Sequence, residues 1–281
     1  MIFDPCPDQN ENPLDRLDPT GGFTAIFRTI GCIGDSLSSG EFEGTDPETG
    51  GKTYHDTFEY SWGQFLGRMT GSRVWNFSRG GMTAREYWNG FAEAKGFWGS
   101  DKLCDAYIIA LGVNDVNKAL WGGGVEIGSE NDIDPENGDH NPATALGYYG
   151  RIITRLRANR PDAFFFPVTV PRDHRGRGNP ERQALEDQLN EGIRRLPDLF
   201  PRTYVLDIAR YAPPFDDEIF IRSYQLGGHL NPMGYLLFAR MIGSYIDYII
   251  RHNMNDFKQV GFIGTPYRNT KDAGAFIPDE K

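Results

Sequence analysis

Two patterns of apolar residues alternate along this chain, and that alternation limits its fold more than any other feature. Short runs from Phe23 to Ile33, Arg73 to Phe77, Ala106 to Leu111, Ala163 to Val170 and Thr203 to Ile208 are β-branched or aromatic and bounded by Gly, Asp or Pro. They predict five strands. Between them, the stretches from Ser61 to Thr70, Thr83 to Phe97, Thr144 to Asn159, Glu181 to Leu196 and Met233 to Ile250 place apolar residues three and four apart. That spacing predicts amphipathic helices. Strand and helix in repetition require right-handed crossovers, so the expected fold is α/β: a three-layer α/β/α sandwich on a five-stranded parallel sheet. With 281 residues, 39% of them hydrophobic, one domain with one large core is expected.

Three segments stand outside this rhythm. Residues 1–22 are rich in Asp, Asn and Pro and read as an N-terminal arm on the surface of the 23–256 domain. Residues 116–142 form a Gly-rich, acidic loop, too long for an ordinary connection, and its place just after a strand favours a functional role. Residues 257–281 lose helical periodicity and read as a C-terminal extension on the surface or against a partner subunit, which would make the protein a homo-oligomer.

Charge narrows the partners. Against 39 Asp and Glu stand 29 Lys and Arg, a net charge of -10 that repels phosphate backbones and anionic lipid, so neither nucleic acid nor membrane is expected. No run reaches the roughly 18 apolar residues of a spanning helix, and the start MIFDPCPDQNENPLD lacks a signal peptide's basic and apolar regions. The three scattered cysteines, Cys6, Cys32 and Cys104, suggest neither a disulfide framework nor a metal site, and a cytoplasmic location fits best.

The chemistry is carried by four short blocks, three of them at predicted strand ends. The first strand runs into Gly34-Asp35-Ser36-Leu37-Ser38-Ser39-Gly40, the second into Asn76-Phe77-Ser78-Arg79-Gly80-Gly81-Met82-Thr83, and the third into Gly112-Val113-Asn114-Asp115. Gly227-Gly228-His229-Leu230-Asn231-Pro232 opens the last helix. Taken singly, each has an ordinary reading: a turn for Ser36 and Gly81, a cap for Asn114, a first-turn residue for His229. In this order, they make the sequence from about Ile30 to Ile250 resemble the SGNH (or GDSL) hydrolases, whose fold is flavodoxin-like.

The resemblance implies that Ser36 attacks an ester carbonyl, that His229 takes its proton, and that the N–H groups of Ser36 and Gly81 and the amide of Asn114 hold the oxyanion. The chemistry agrees, since fixed donors aimed at the developing charge are usually the largest catalytic contribution in acyl transfer. Most relatives carry an aspartate three residues before the histidine. Here that position is Leu226, so either the Leu226 backbone carbonyl or a carboxylate among Asp216, Asp217 and Glu218 would orient His229, with the carbonyl preferred.

No cofactor or metal is expected. GxxxxGK[ST] and GxGxxG motifs are absent, and His55, His140, His174 and His252 show no ligand spacing. Asp132, Asp134, Glu136 and Asp139 mimic a calcium loop, but Gly138 stands one place late for it. Among the family's substrates, short acyl groups, acetyl above all, on a carbohydrate or oligosaccharide are favoured, with Trp88, Trp98 and Trp121 as stacking candidates. A lipolytic or thioester hydrolase, and a catalytically silent fold that binds carbohydrate or protein, are the alternatives.

Overall fold

Strands that are apolar on both faces need cover on both sides, and they find it in a parallel sheet. The computed structural model describes residues 8, 10–173 and 176–257. Along the chain come β1 (Thr29–Gly34), β2 (Glu41–Thr45), β3 (Lys52–Asp56), β4 (Arg73–Ser78), β5 (Ala106–Ala110) and β6 (Phe164–Pro167). Four of them form the central sheet in the order β4-β1-β5-β6, all parallel. β2 and β3 pair only with each other, as an antiparallel hairpin.

The sheet has four strands where five were expected, and proline explains the difference. Beside β6 the chain runs parallel from Arg202 to Leu206, and Phe165 N–H reaches Arg202 O while Thr169 N–H reaches Leu206 O. Midway, Pro167 has no N–H to give, so the ladder is reduced to isolated bridges at Phe165–Thr203 and Val168–Leu206.

Alternate side chains of the strands feed two cores. On one face Ile33, Phe77, Tyr107, Ile109 and Phe165 pack with the Ala145–Asn159 and Pro180–Leu199 helices. On the other, Ile30, Cys32, Ile108, Phe164 and Phe166 pack with the Trp62–Thr70 and Pro232–His252 helices. Capping side chains set where these helices start: Ser61 accepts from Gln64 N–H, Thr144 from Gly147 N–H and Asn231 from Gly234 N–H.

Three expected elements differ. The predicted strand from Phe23 to Ile33 opens as a 3-10 turn at Gly22–Ile26, and β1 begins only at Thr29. The predicted helix from Thr83 to Phe97 is broken into Ala84–Glu86, a π-helical turn at Tyr87–Phe91 and Ala92–Ala94, with Gly90 at the break. The predicted 116–142 loop begins inside a helix, Val113–Trp121, and later holds 3-10 turns at Glu130–Asp132 and Gly138–His140. The arm lies along the last helix, where Asp18 N–H donates to Ser244 Oγ (2.7 Å) and Arg251 pairs with Glu11 (2.7 Å). Of the C-terminal extension, only Phe257 is among the described residues. No described helix is long and apolar enough to cross a membrane.

The centre of the sheet is tight enough to test. A Cβ on Gly31, in β1, would come within 2.8 Å of both the Phe77 and Tyr107 rings, which are buried and cannot swing away. Gly31→Ala is expected to lower unfolding free energy by about 1–3 kcal/mol, read from urea denaturation, since overpacking a close-packed core forces backbone shifts. An unchanged midpoint would show slack at the sheet centre.

Candidate active site

Three loops leave the carboxyl ends of adjacent strands together, because Gly34 is in register with both Ser78 of β4 and Ala110 of β5. After β1 the chain enters the short Ser36–Ser39 helix, whose cap Asp35 accepts from Leu37 N–H at 3.1 Å. As the first residue of that helix, Ser36 has an N–H with no intrahelical acceptor. After β4, Arg79 to Met82 make a tight turn closed by Met82 N–H on Arg79 O (3.3 Å). Gly81 occupies its third position with φ 70°, a conformation that favours glycine, and a Cβ there would meet nothing within 4 Å. Its N–H points to no acceptor among the described residues.

Asn114 stitches the loops together. It is the second residue of the Val113–Trp121 helix, and its Nδ2 donates to Met82 O (3.2 Å) and to Asp35 Oδ2 (3.4 Å). Next to it, buried Asp115 accepts from Ala84 N–H at 3.0 Å, tying the β5 loop to the segment after Gly81. Burial pushes the Asp115 carboxyl up to about 7, with the Ala84 N–H opposing the shift.

His229 arrives on a two-residue hairpin in which β7 (Gln225–Leu226) pairs with β8 (His229–Leu230), Leu226 lying opposite His229. Neither expected partner holds its ring. Among the described residues no hydrogen bond joins Nδ1 to Leu226. Asp217 instead caps the Glu218–Tyr224 helix through Ile219 and Phe220 N–H, the Asp216 carbonyl accepts from Arg177, and Glu218 opens that helix. The acceptor is Glu43 of β2, with Oε1 3.0 Å from Nδ1.

Glu43 is well secured. Its side chain is 8% exposed, Lys52 Nζ lies 2.9 Å from Oε2, and Gly228 N–H donates to Oε1 at 2.6 Å. Burial resists its ionisation, but Lys52, the Gly228 N–H and His229 outweigh that cost and hold its pKa at about 2. The two glycines before His229 make room for it: a Cβ would fall 2.3 Å from Glu43 on Gly227 and 2.7 Å from it on Gly228.

Sequence reasoning missed this acid because it sits 186 residues from the histidine, in a hairpin too polar to read as part of the core. The available signal was local: Glu41 to Thr45 and Lys52 to Asp56 flank the turn-forming Asp46-Pro47-Glu48-Thr49-Gly50-Gly51.

On its other side the ring meets a second carboxylate, with Glu41 Oε1 3.1 Å from Nε2. No hydrogen bond joins His229 to Ser36 among the described residues. Their segments adjoin all the same: a cavity of about 30 Å³ is lined by His229, by Leu37 beside the serine and by Val113 beside Asn114. A larger cavity of about 420 Å³ lies apart, between Gly122 to Gly128 and the side chains of Leu185 and Gln188. Trp88 and Trp98 pack on each other and on the core, while Trp121 is exposed. His140 pairs with Asp134 at 2.8 Å, His55 meets Thr53, His252 meets the Tyr248 carbonyl, and His174 lies outside the described residues. No group of three or more His, Cys, Asp or Glu able to hold a metal ion occurs among the described residues.

Glu43 ties this site to stability. A carboxyl whose pKa drops on folding adds stability above its unfolded value and loses it as pH falls through its folded value. For Glu43 the window runs from 4.5 down to about 2. Urea midpoints of the protein are therefore expected to fall more steeply across this window than those of Glu43→Gln. Parallel curves would mean that the carboxylate gains nothing on folding.

Comparison with known proteins addresses the fold and the family. A search of curated proteins finds no match. Among solved structures, a family two carbohydrate esterase from Clostridium thermocellum, in complex with cellohexaose, aligns with TM-score 0.52 at 15% identity, covering 82% of this chain and 65% of its own. A carbohydrate esterase family 2 enzyme from Corynascus thermopiles aligns with TM-score 0.51 at 16% identity, over 79% of this chain and 66% of its own. A protein named as a GDSL-like lipase, from Parabacteroides merdae, gives TM-score 0.51 at 15% identity, over 78% and 95%. These likenesses show a shared fold. Residues 32–237 match the model of the GDSL-like lipase/acylhydrolase family, and the chain belongs to that family.

Proposed function

We propose that this GDSL-family hydrolase is a serine esterase that removes short acyl groups, acetyl above all, from polyols such as carbohydrates. The observation that carries the reading is the constellation itself: Ser36 at a helix start, a Gly81 N–H with no acceptor among the described residues, Asn114 between them, and His229 steadied by an ionised Glu43. In this reading Ser36 Oγ attacks the ester carbonyl carbon and its proton passes to His229 Nε2. Glu43 keeps Nδ1–H fixed and stabilises the imidazolium that forms.

The carbonyl oxygen, now negative, is met by the N–H groups of Ser36 and Gly81 and by Asn114 Nδ2, which gives up its longer contact, to Asp35. Collapse of the adduct expels the alcohol, which takes the proton from Nε2. Water then repeats the sequence on the acyl-serine and releases the acid.

The small cavity beside His229 supports a short acyl group. Its walls include Leu37, Val113, Pro171, Phe215 and Leu230 together with the polar Asp173 and Gln225, and at about 30 Å³ it is small. The solved carbohydrate esterases that share the fold support the choice of alcohol.

Turnover of p-nitrophenyl acetate, butyrate and octanoate tests both halves. Rates are expected to fall with chain length, and a fluorophosphonate is expected to label Ser36 and stop turnover. Ser36→Ala should abolish activity; Ser36→Ala at the wild-type rate would overturn the assignment. Glu43→Gln is expected to lower kcat by about 10²- to 10⁴-fold, whereas Asp216→Asn, Asp217→Asn and Glu218→Gln stay within severalfold. For Asn114→Ala, a loss of about 10²- to 10³-fold concentrated in kcat is expected, and a change confined to KM would recast it as a binding residue.

A further inference from the structure

His229 has one carboxylate more than its reaction needs. Glu43 serves Nδ1, yet Glu41 stands 3.1 Å from Nε2, the atom that must take the serine proton and return it to the departing alcohol. A group within hydrogen-bond reach of Nε2 also stands beside the leaving oxygen. From there the Glu41 side chain extends to the oxyanion turn, and a Cβ on Gly80 would fall 2.2 Å from Oε2. The carboxylate thus bounds the space between ring and turn on the side where the alcohol departs.

Its placement is built into the hairpin. Glu41 pairs with Asp56 across β2 and β3, and Tyr235 Oη donates to its carbonyl at 2.8 Å. Side chains two apart on a strand share a face, so Glu41 and Glu43 lie together with their partners Asp56 and Tyr54. Tyr54 is 54% exposed and its ring meets that of His229 in a T-shaped pair, 6.1 Å between centroids. One hairpin face therefore supplies the acid of the site, a second carboxylate at the leaving-group side, and an exposed aromatic next to both.

Charge argues for a neutral ligand. Lys52 offsets Glu43, whereas Glu41 has no ion-pair partner besides His229 among the described residues and pairs with Asp56 across the hairpin, so the face offers an acceptor to a neutral hydroxyl and repels an anionic alcohol.

We propose that the β2–β3 face is the leaving-group subsite, in which Glu41 accepts a hydrogen bond from a hydroxyl on the carbon next to the ester oxygen and Tyr54 flanks the rest of the alcohol. Monoacyl esters of vicinal diols are then the preferred substrates. When such an ester binds, its hydroxyl replaces His229 as the partner of Glu41 and leaves Nε2 to Ser36. This inference rests on the esterase reading and specifies its alcohol.

The test compares 2-hydroxyethyl acetate with propyl acetate, two esters of matched size that differ in the adjacent hydroxyl. For each enzyme form the readout is the ratio of the two kcat/KM values, which cancels intrinsic reactivity between variants and partial misfolding within a preparation. Glu41→Gln and Glu41→Ala are each expected to lower that ratio by about tenfold, the difference between a charge-assisted hydrogen bond and a weaker or absent one. Tyr54→Ala is expected to slow an acetylated methyl glucoside more than 2-hydroxyethyl acetate.

An unchanged ratio overturns the proposal. If both rates fall in parallel, Glu41 only positions His229; if both rise in parallel, it only blocks Nε2. Should neither ester turn over and a fluorophosphonate fail to label Ser36, the esterase reading itself falls, and this inference with it.

Discussion

The site depends on one register. Because Gly34 of β1 stands level with Ser78 of β4 and Ala110 of β5, three chain segments leave the sheet at the same height. Everything placed within the next few residues converges without further help: Ser36 two residues after β1, Gly81 three after β4, Asn114 four after β5. Parallel pairing makes this arrangement possible, since it stacks like ends of the strands, and ligand sites in such sheets gather at the carboxyl edge for that reason. The hydrogen bonds from Asn114 to Met82 O and Asp35 Oδ2 then lock the three segments to one another.

Histidine and its acids follow a different logic, that of space cleared for charge. Two carboxylates reach one imidazole, which is costly unless each finds compensation. Glu43 finds it in Lys52 and the Gly228 N–H, and its pKa falls. Glu41 lacks a comparable cation, and burial raises its pKa, with Asp56, Asp35 and Glu43 adding to the rise and His229 opposing it. Gly80, Gly227 and Gly228 let these side chains approach, since a Cβ on any of them would clash with one of the two carboxylates. The glycines beside the motif residues thus have a steric reason specific to this chain.

Much of this could be read in advance. Apolar periodicity located the four sheet strands and the long helices, since burial writes its period into the sequence, and the blocks around Ser36, Gly81, Asn114 and His229 were visible because each is short and continuous. What stayed hidden depended on distant or local backbone chemistry. Pro167 interrupts the fifth strand by withholding one N–H, a detail that apolar patterning does not register. Helical spacing carried from Thr83 to Phe97 across a backbone that changes course at Gly90. The β2–β3 hairpin alternates only polar side chains with a few aromatics, so neither period nor burial announced it, and Glu43 was overlooked in favour of Leu226 and the Asp216–Glu218 run, which are nearer in sequence.

That hairpin also separates two events in the life of the chain. β2 and β3 hydrogen-bond to each other and to no strand of the central sheet, and the turn joining them is short, so the hairpin can form locally on a microsecond scale. Its seat on Gly228 and His229 brings together residues some 185 apart, a closure that must await the last helix. During synthesis the nucleophile, the acid Glu43 and the oxyanion donors all emerge long before the base, His229. The newborn chain therefore passes most of its folding with the serine in place and no means of activating it.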